Sequence, residues 1–240
     1  MRMPGVKYKY AAYISSFLAL SLIVFNIYYF FIRRDVGISF YIQKAFYPAR
    51  DAVLMSPDYK DLVDEYANFN QSANTAVIVF LGDSLTKRFN VQEYFPGYDV
   101  LNRGVYSDTT VGLLNRLDRN VNNLKISKLF LLIGYNDLQY RTNKEILANI
   151  GLVVDRIHSG KIYVQSLLPV EARRKDINSR INDINESLKM LCESKGIEFI
   201  DLHRHFLDDT GGISRKYSLD GIHLNGAGCR LWKELILAKL

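Results

Sequence analysis

Ala76-Val77-Ile78-Val79-Phe80-Leu81, closed by Gly82-Asp83-Ser84-Leu85, is the stretch from which the fold of this 240-residue chain is read. A continuous apolar run of strand length, stopped by a glycine and without polar alternation, is the pattern of a strand buried on both faces of a parallel sheet. Short runs of the same kind recur at Val100-Leu101, Leu129 to Ile133, Ile162 to Val164 and Ile197 to Leu202.

Helical patterns separate these runs. Ile146, Leu147, Ile150, Val153, Val154 and Ile157 keep one face of a helix opened by a capping box of Thr142 and Glu145. Ile177, Ile181, Ile184, Leu188 and Leu191 keep another, and Trp232, Leu235 and Ile236 mark a last amphipathic helix. Upstream, Leu62, Val63 and Tyr66 at helical spacing predict a lead-in helix between Pro57 and Asn70. Strands alternating with helices predict an α/β fold, a three-layer α/β/α sandwich around a parallel five-stranded sheet. In such sheets ligands bind beyond the carboxyl ends of the strands.

The N-terminus reads differently. Of the 31 Lys and Arg residues, Arg2, Lys7, Lys9, Arg33 and Arg34 lie in the first 34 positions, which hold no Asp or Glu. The rest of the chain is close to balanced against its 25 acidic residues, so the net charge of +6 belongs almost wholly to the N-terminus. That distribution argues against a nucleic-acid-binding face on the folded domain and for contact with anionic lipid headgroups. Ala11 to Ile32 carries no charge over 22 residues, about the ~20 that a helix needs to cross a bilayer. Tyr28, Tyr29, Phe30 and Phe31 beside Arg33 and Arg34 fit the interfacial end of such a helix.

The expectation is a single uncleaved transmembrane helix. A signal peptide fits less well, because the apolar run is long and Asn26 to Arg34 offers no small-x-small cleavage site. Basic residues flank both ends, so the positive-inside rule does not set the orientation. An export-like N-terminus would serve no purpose on a cytosolic protein, so the folded domain is expected on the extracytoplasmic side. The expected organisation is an anchor over 1–34, a linker and lead-in helix over 35–74 and the α/β domain over 75–240.

The chemistry-bearing residues cluster where the sheet's crevice should be. Gly82-Asp83-Ser84-Leu85 follows the first strand, Asn102-Arg103-Gly104 the second and Gly134-Tyr135-Asn136-Asp137 the third, while Asp220-Gly221-Ile222-His223 stands near the C-terminus. A serine hydroxyl needs a base to take its proton, and histidine suits that task. An Asp three residues before the His is within reach of the ring's other nitrogen. Ser84 N–H, Gly104 N–H and the Asn136 amide are candidate oxyanion donors. Asp83 and Asp137 read as supports that bond loop N–H groups. Singly, each residue has a plain structural reading as a helix cap or turn former; the four blocks in order, each at a strand end or in the terminal segment, form the signal.

These blocks, from about Val77 to Leu224, resemble the signature blocks of the SGNH hydrolases, also called GDSL esterases or lipases. The resemblance implies a flavodoxin-like fold with Ser84 as nucleophile, His223 as general base, Asp220 as its orienting carboxylate, and an oxyanion hole of Ser84 N–H, Gly104 N–H and the Asn136 side chain. Leu101-Asn102-Arg103-Gly104-Val105 followed by Asp108-Thr109-Thr110 is similar to the branch that includes platelet-activating-factor acetylhydrolase-like and carbohydrate acetylesterase-like enzymes. At Tyr106-Ser107 the chain departs from that branch, which carries smaller residues there, and Tyr106 is expected to narrow the acyl pocket.

The expected function is a membrane-anchored serine ester hydrolase acting on an acetyl or short-acyl ester of an envelope glycan or lipid, without metal or other cofactor. The same acyl-enzyme serves an O-acyltransferase, and a non-catalytic anchored binding module is the alternative of another class. His203 and His205 are spaced to lie on one side of an extended segment, but no third metal ligand accompanies them. His158 is expected to close the helix that begins near Thr142. Cys192 and Cys229 read as small buried apolar residues.

Overall fold

The computed structural model describes residues 59–72 and 77–240. Five strands, β1 (Val77–Gly82), β2 (Val100–Gly104), β3 (Ile126–Leu132), β4 (Lys161–Gln165) and β5 (Glu198–Ile200), form one parallel sheet in the order β2-β1-β3-β4-β5. The order reverses direction between β2 and β3, so the crevice of the sheet opens where β1 and β3 lie side by side.

Successive residues of β1 point to opposite faces and seed two cores. Val77, Val79 and Leu81 join Leu113 and Leu117 of α4 (Thr110–Asn120), Ile146, Ile150 and Val153 of α5 (Asn143–Arg156), and Ile181, Ile184 and Leu188 of α6 (Lys175–Lys195). Ile78 and Phe80 join Phe89, Phe130, Tyr163, Leu202, Trp232 and Ile236, under α2 (Ser84–Arg88), α3 (Val91–Tyr94) and α8 (Gly226–Ile236). This is the three-layer arrangement expected from the sequence, and each fully buried large side chain contributes about 1.5–3 kcal/mol.

On the second face the rings of Phe80, Phe130 and Tyr163 stack strand to strand at 5.0 and 4.7 Å. Trp232 stacks on Phe89 at 4.4 Å and donates its indole N–H to Gln165 Oε1 at 2.6 Å. The lead-in helix α1 (Tyr59–Asn70) packs against α4 and the end of β2. Its Tyr59, Leu62, Val63 and Tyr66 pack on Val105, and the Tyr66 and Tyr59 hydroxyls donate to the Gly104 and Gly112 carbonyls.

Several expectations are corrected here. Asn102-Arg103-Gly104, read as lying beyond the second strand, forms its last residues, and the fifth strand keeps only Glu198–Ile200 of the run 197–202. His203 and His205 sit within the short helix α7 (His203–Phe206) instead of an extended segment. The α5 helix ends at Arg156, so exposed His158 lies outside it, with its N–H on Asn122 Oδ1. Among the described residues no helix is long and apolar enough to cross a membrane, and the span expected over 11–32 lies outside them.

Candidate active site

Ser84 is the first residue of α2, directly past β1, and is half-buried. Asp83 caps that helix by accepting the Leu85 N–H at 2.9 Å, which fixes the turn that presents the serine. The Ser84 Oγ lies 3.0 Å from His223 Nε2, and His223 Nδ1 lies 2.8 Å from Asp220 Oδ2. The structure thus brings these three sequence-predicted residues into one hydrogen-bonded chain across 139 positions of sequence.

The histidine comes from the loop before α8, and that loop is held rigidly. Asp220 Oδ1 accepts the N–H groups of Ile222 at 3.0 Å and His223 at 2.7 Å. Gly221 takes a left-handed φ of 78°, where a side chain would be strained, and its carbonyl accepts the Glu171 N–H at 2.9 Å. A bridge between Ser218 and Leu224 closes the base of the loop.

Opposite the histidine, Asn136 opens a short 3₁₀ helix past β3 and donates its amide Nδ2 to the Asp108 carbonyl at 2.9 Å. Gly104, expected to supply an oxyanion donor, has its N–H engaged within its own strand. Its N–H is spent on Asn102 Oδ1 at 2.8 Å, and a Cβ there would come within 2.2 Å of the Lys87 backbone nitrogen. Glycine is needed at 104 so that α2 can pack against β2. The unusual backbone of this loop is three residues on: Ser107 has φ 58°, the left-handed value of no other described non-glycine residue. A serine flanked by tyrosine carries no sequence signal for that conformation.

Beneath the site lie three buried carboxyls. Asp137 accepts the Thr110 N–H at 2.9 Å and its hydroxyl at 2.6 Å, together with Arg141 Nη1 at 3.2 Å. Asp108 accepts Arg116 Nε at 2.8 Å and the Thr109 N–H at 3.0 Å. Asp83 has only its Oδ1 bonded, and its Oδ2 is buried without a partner. Burial, with Asp108 and Asp137 nearby, pushes Asp83 up from 3.8 to about 7, and burial lifts Asp108 to about 6 against the pull of Arg116.

An acid whose pKa is higher in the folded than in the unfolded chain holds its proton more tightly when folded. Its stabilising effect is complete below the unfolded value and is lost as pH rises through the folded one. Asp83 therefore favours the folded state near pH 4 and progressively less towards pH 7, at about 1.4 kcal/mol for each unit of displacement. Asp83→Asn should keep the helix cap through its amide oxygen and remove this dependence. Denaturant unfolding of both proteins from pH 4 to 7 should show wild type losing a few kcal/mol relative to the variant; parallel curves would refute the assignment.

Among the described residues no group of His, Cys, Asp and Glu is arranged to hold a metal. His203 is half-buried, with its N–H on Ser166 Oγ, and His205 meets Arg204 Nε through its Nε2. Cys192 and Cys229 are both buried free thiols, one in each core. A cavity of about 700 Å³ runs along the β2 edge beside Phe69, Lys87 and Tyr98; none of Ser84, Asn136 or His223 lines it, so it is separate from the candidate site.

The model of the GDSL-like Lipase/Acylhydrolase family matches residues 80–231. No curated protein matches. Among solved structures, a Streptococcus pneumonia protein assigned provisionally as a platelet activating factor is 26% identical, covering 76% of this chain and 92% of its own, with a TM-score of 0.69. A GDSL-like lipase from Bacteroides thetaiotaomicron is 21% identical, with coverage of 74% and 96% and a TM-score of 0.67. A catalytic mutant of an acetylxylan esterase from Geobacillus stearothermophilus shares the fold at 17% identity, with coverage of 70% and 94% and a TM-score of 0.56. The family match spans more than half of the sequence and contains Ser84, Asn136 and His223, so this chain belongs to the GDSL-like lipase/acylhydrolase family and is a hydrolase.

Proposed function

We propose that the protein is a membrane-anchored serine esterase that cleaves acetyl or short-acyl esters of an envelope glycan or lipid through an acyl-enzyme on Ser84. The observation that carries this reading is the Ser84–His223–Asp220 chain, with spacings of 3.0 and 2.8 Å, at the carboxyl ends of the strands. His223 Nε2 takes the serine proton as Oγ attacks the ester carbonyl carbon, and Asp220 stabilises the imidazolium. Collapse of the tetrahedral intermediate expels the alcohol, protonated by His223; water, deprotonated by the same nitrogen, then releases the acid.

The oxyanion is held by the Ser84 N–H at the start of α2 and by the Asn136 amide, whose second hydrogen is free once the first is on the Asp108 carbonyl. With Gly104 engaged elsewhere, the third donor is the N–H of Ser107, whose left-handed backbone adjoins Asp108. Such strain concentrates at functional sites. Membrane attachment rests on the uncharged run from Ala11 to Ile32 between basic clusters, and it favours a substrate at the envelope.

The test is hydrolysis of p-nitrophenyl acetate, butyrate and palmitate by the full chain, with and without a sugar acceptor. Acetate and butyrate should be cleaved in preference to palmitate. Tyr106, 36% exposed on the loop that carries Ser107, sets that preference, and Tyr106→Ala should improve long-ester kcat/KM relative to acetate by roughly tenfold or more. An unchanged chain-length profile would remove Tyr106 from the pocket. Acyl groups recovered on the added sugar would identify an O-acyltransferase, and failure of folded protein to cleave any ester would overturn the proposal.

A further inference from the structure

Arg116 lies in the middle of α4 and is 1% exposed, so its charge is taken almost wholly out of water. Burying a guanidinium costs several kcal/mol, which only good geometry offsets. Its bonds all go to one end of the sheet. Nε donates to Asp108 Oδ2 at 2.8 Å, and Nη2 donates to the carbonyls of Gly82 at 3.1 Å and Arg103 at 2.9 Å. One side chain thereby joins the ends of β1 and β2 to the loop between β2 and α4.

Each of these partners leads directly to the reacting groups. Gly82 is two residues before Ser84, and its carbonyl also accepts the Val105 N–H at 3.1 Å, where the loop carrying Ser107 begins. Asp108, bonded to Arg116 through its carboxylate, accepts the Asn136 amide through its carbonyl. The nucleophile turn is therefore one hydrogen bond from Arg116, and the Asn136 donor is two.

We propose that Arg116 is a positioning residue for acyl transfer, a buried tie that sets the spacing between the Ser84 turn and the oxyanion donors. The inference rests on the reading of Ser84 as nucleophile. A lysine cannot reproduce it, because a single ammonium lacks the planar fork that reaches three acceptors in fixed directions. Misplacement of reacting groups by about 1 Å costs roughly 10²-fold in rate.

The experiment compares wild type with Arg116→Lys in two assays: ester hydrolysis, and the rate and final stoichiometry of labelling by a fluorophosphonate. The expected result is full stoichiometry in the variant, with kcat and the labelling rate constant lowered together by roughly 10²-fold. KM should change little, and the pH profile should keep its shape because the His223–Asp220 pair lies outside this network. Normal rate constants per labelled site, with or without a reduced stoichiometry, would show that Arg116 serves folding alone and overturn the proposal. If Arg116→Lys does not fold, Asp108→Asn, which keeps the shape and removes the anion, is read in the same way. A wild type that neither labels nor hydrolyses would instead refute the assignment of Ser84.

Discussion

Ser84→Ala should eliminate ester hydrolysis, with kcat falling by roughly 10⁶-fold where the nucleophile of a serine hydrolase is removed. The substitution deletes one oxygen from a half-buried position whose hydrogen bond is to His223. The cap that shapes the turn belongs to Asp83 and the Leu85 N–H, and neither depends on the hydroxyl. The variant should therefore unfold within about 0.5 kcal/mol of wild type, as substitutions away from cores, caps and buried networks do. It should also bind substrate, since the N–H groups and the Asn136 amide remain. The decisive pair of measurements is steady-state hydrolysis and covalent labelling by a fluorophosphonate: both should vanish in Ser84→Ala. Labelling that persists would place the nucleophile elsewhere.

β1 and the Leu129–Leu132 part of β3 are buried on both faces, so they appear as unbroken apolar runs, and the turn behind β1 places Ser84 without further information. Asp220 and His223 are legible because their contact is local, three residues apart in one loop. Thr142 and Glu145 are legible for the same reason, and the capping box forms.

Long-range contacts are harder to read. Nothing local shows that the Gly104 N–H turns to Asn102 Oδ1, or that the Lys87 backbone passes where a Cβ at 104 would stand. Arg116 is hidden by a rule that is usually sound, since an arginine on an amphipathic helix belongs on the wet face. Its burial depends on acceptors from 34, 13 and 8 residues away that no periodicity reveals. Asn70, which reads as the polar end of a lead-in helix, instead receives Arg103 Nη2 at 2.5 Å across the β2 edge. Polar residues that stabilise a site from behind are thus the ones a sequence pattern places on the surface.

Asp220→Asn should lower kcat by roughly 10⁴-fold while leaving the fold nearly as stable as wild type. The large kinetic effect follows from the tautomer. In the native pair, Asp220 Oδ2 accepts from His223 Nδ1 at 2.8 Å, which leaves Nε2 as the acceptor facing Ser84 Oγ at 3.0 Å. Burial raises the Asp220 carboxyl, but hydrogen bonds from the His223 ring and from the N–H groups of His223 and Ile222 outweigh that effect and hold it well below the usual carboxylate range. It is thus ionised throughout the working pH range and ready to stabilise the imidazolium. In Asp220→Asn the amide oxygen can keep the two backbone N–H groups, which turns the NH₂ towards Nδ1. Nδ1 must then accept, Nε2 carries the hydrogen, and the ring cannot take the serine proton. The stability effect is small because the Asp220 side chain is 51% exposed and solvent screens the pair. What remains of it acts in acid: a carboxyl with a depressed folded pKa stabilises above its unfolded value near 3.9 and loses that effect as pH falls. Asp220→Ala is the control, since it removes the anion without supplying a competing donor, and it should retain more activity than Asp220→Asn. If Asp220→Asn keeps a tenth of wild-type kcat, or exceeds Asp220→Ala, the histidine takes its orientation from another group and the relay must be reassigned.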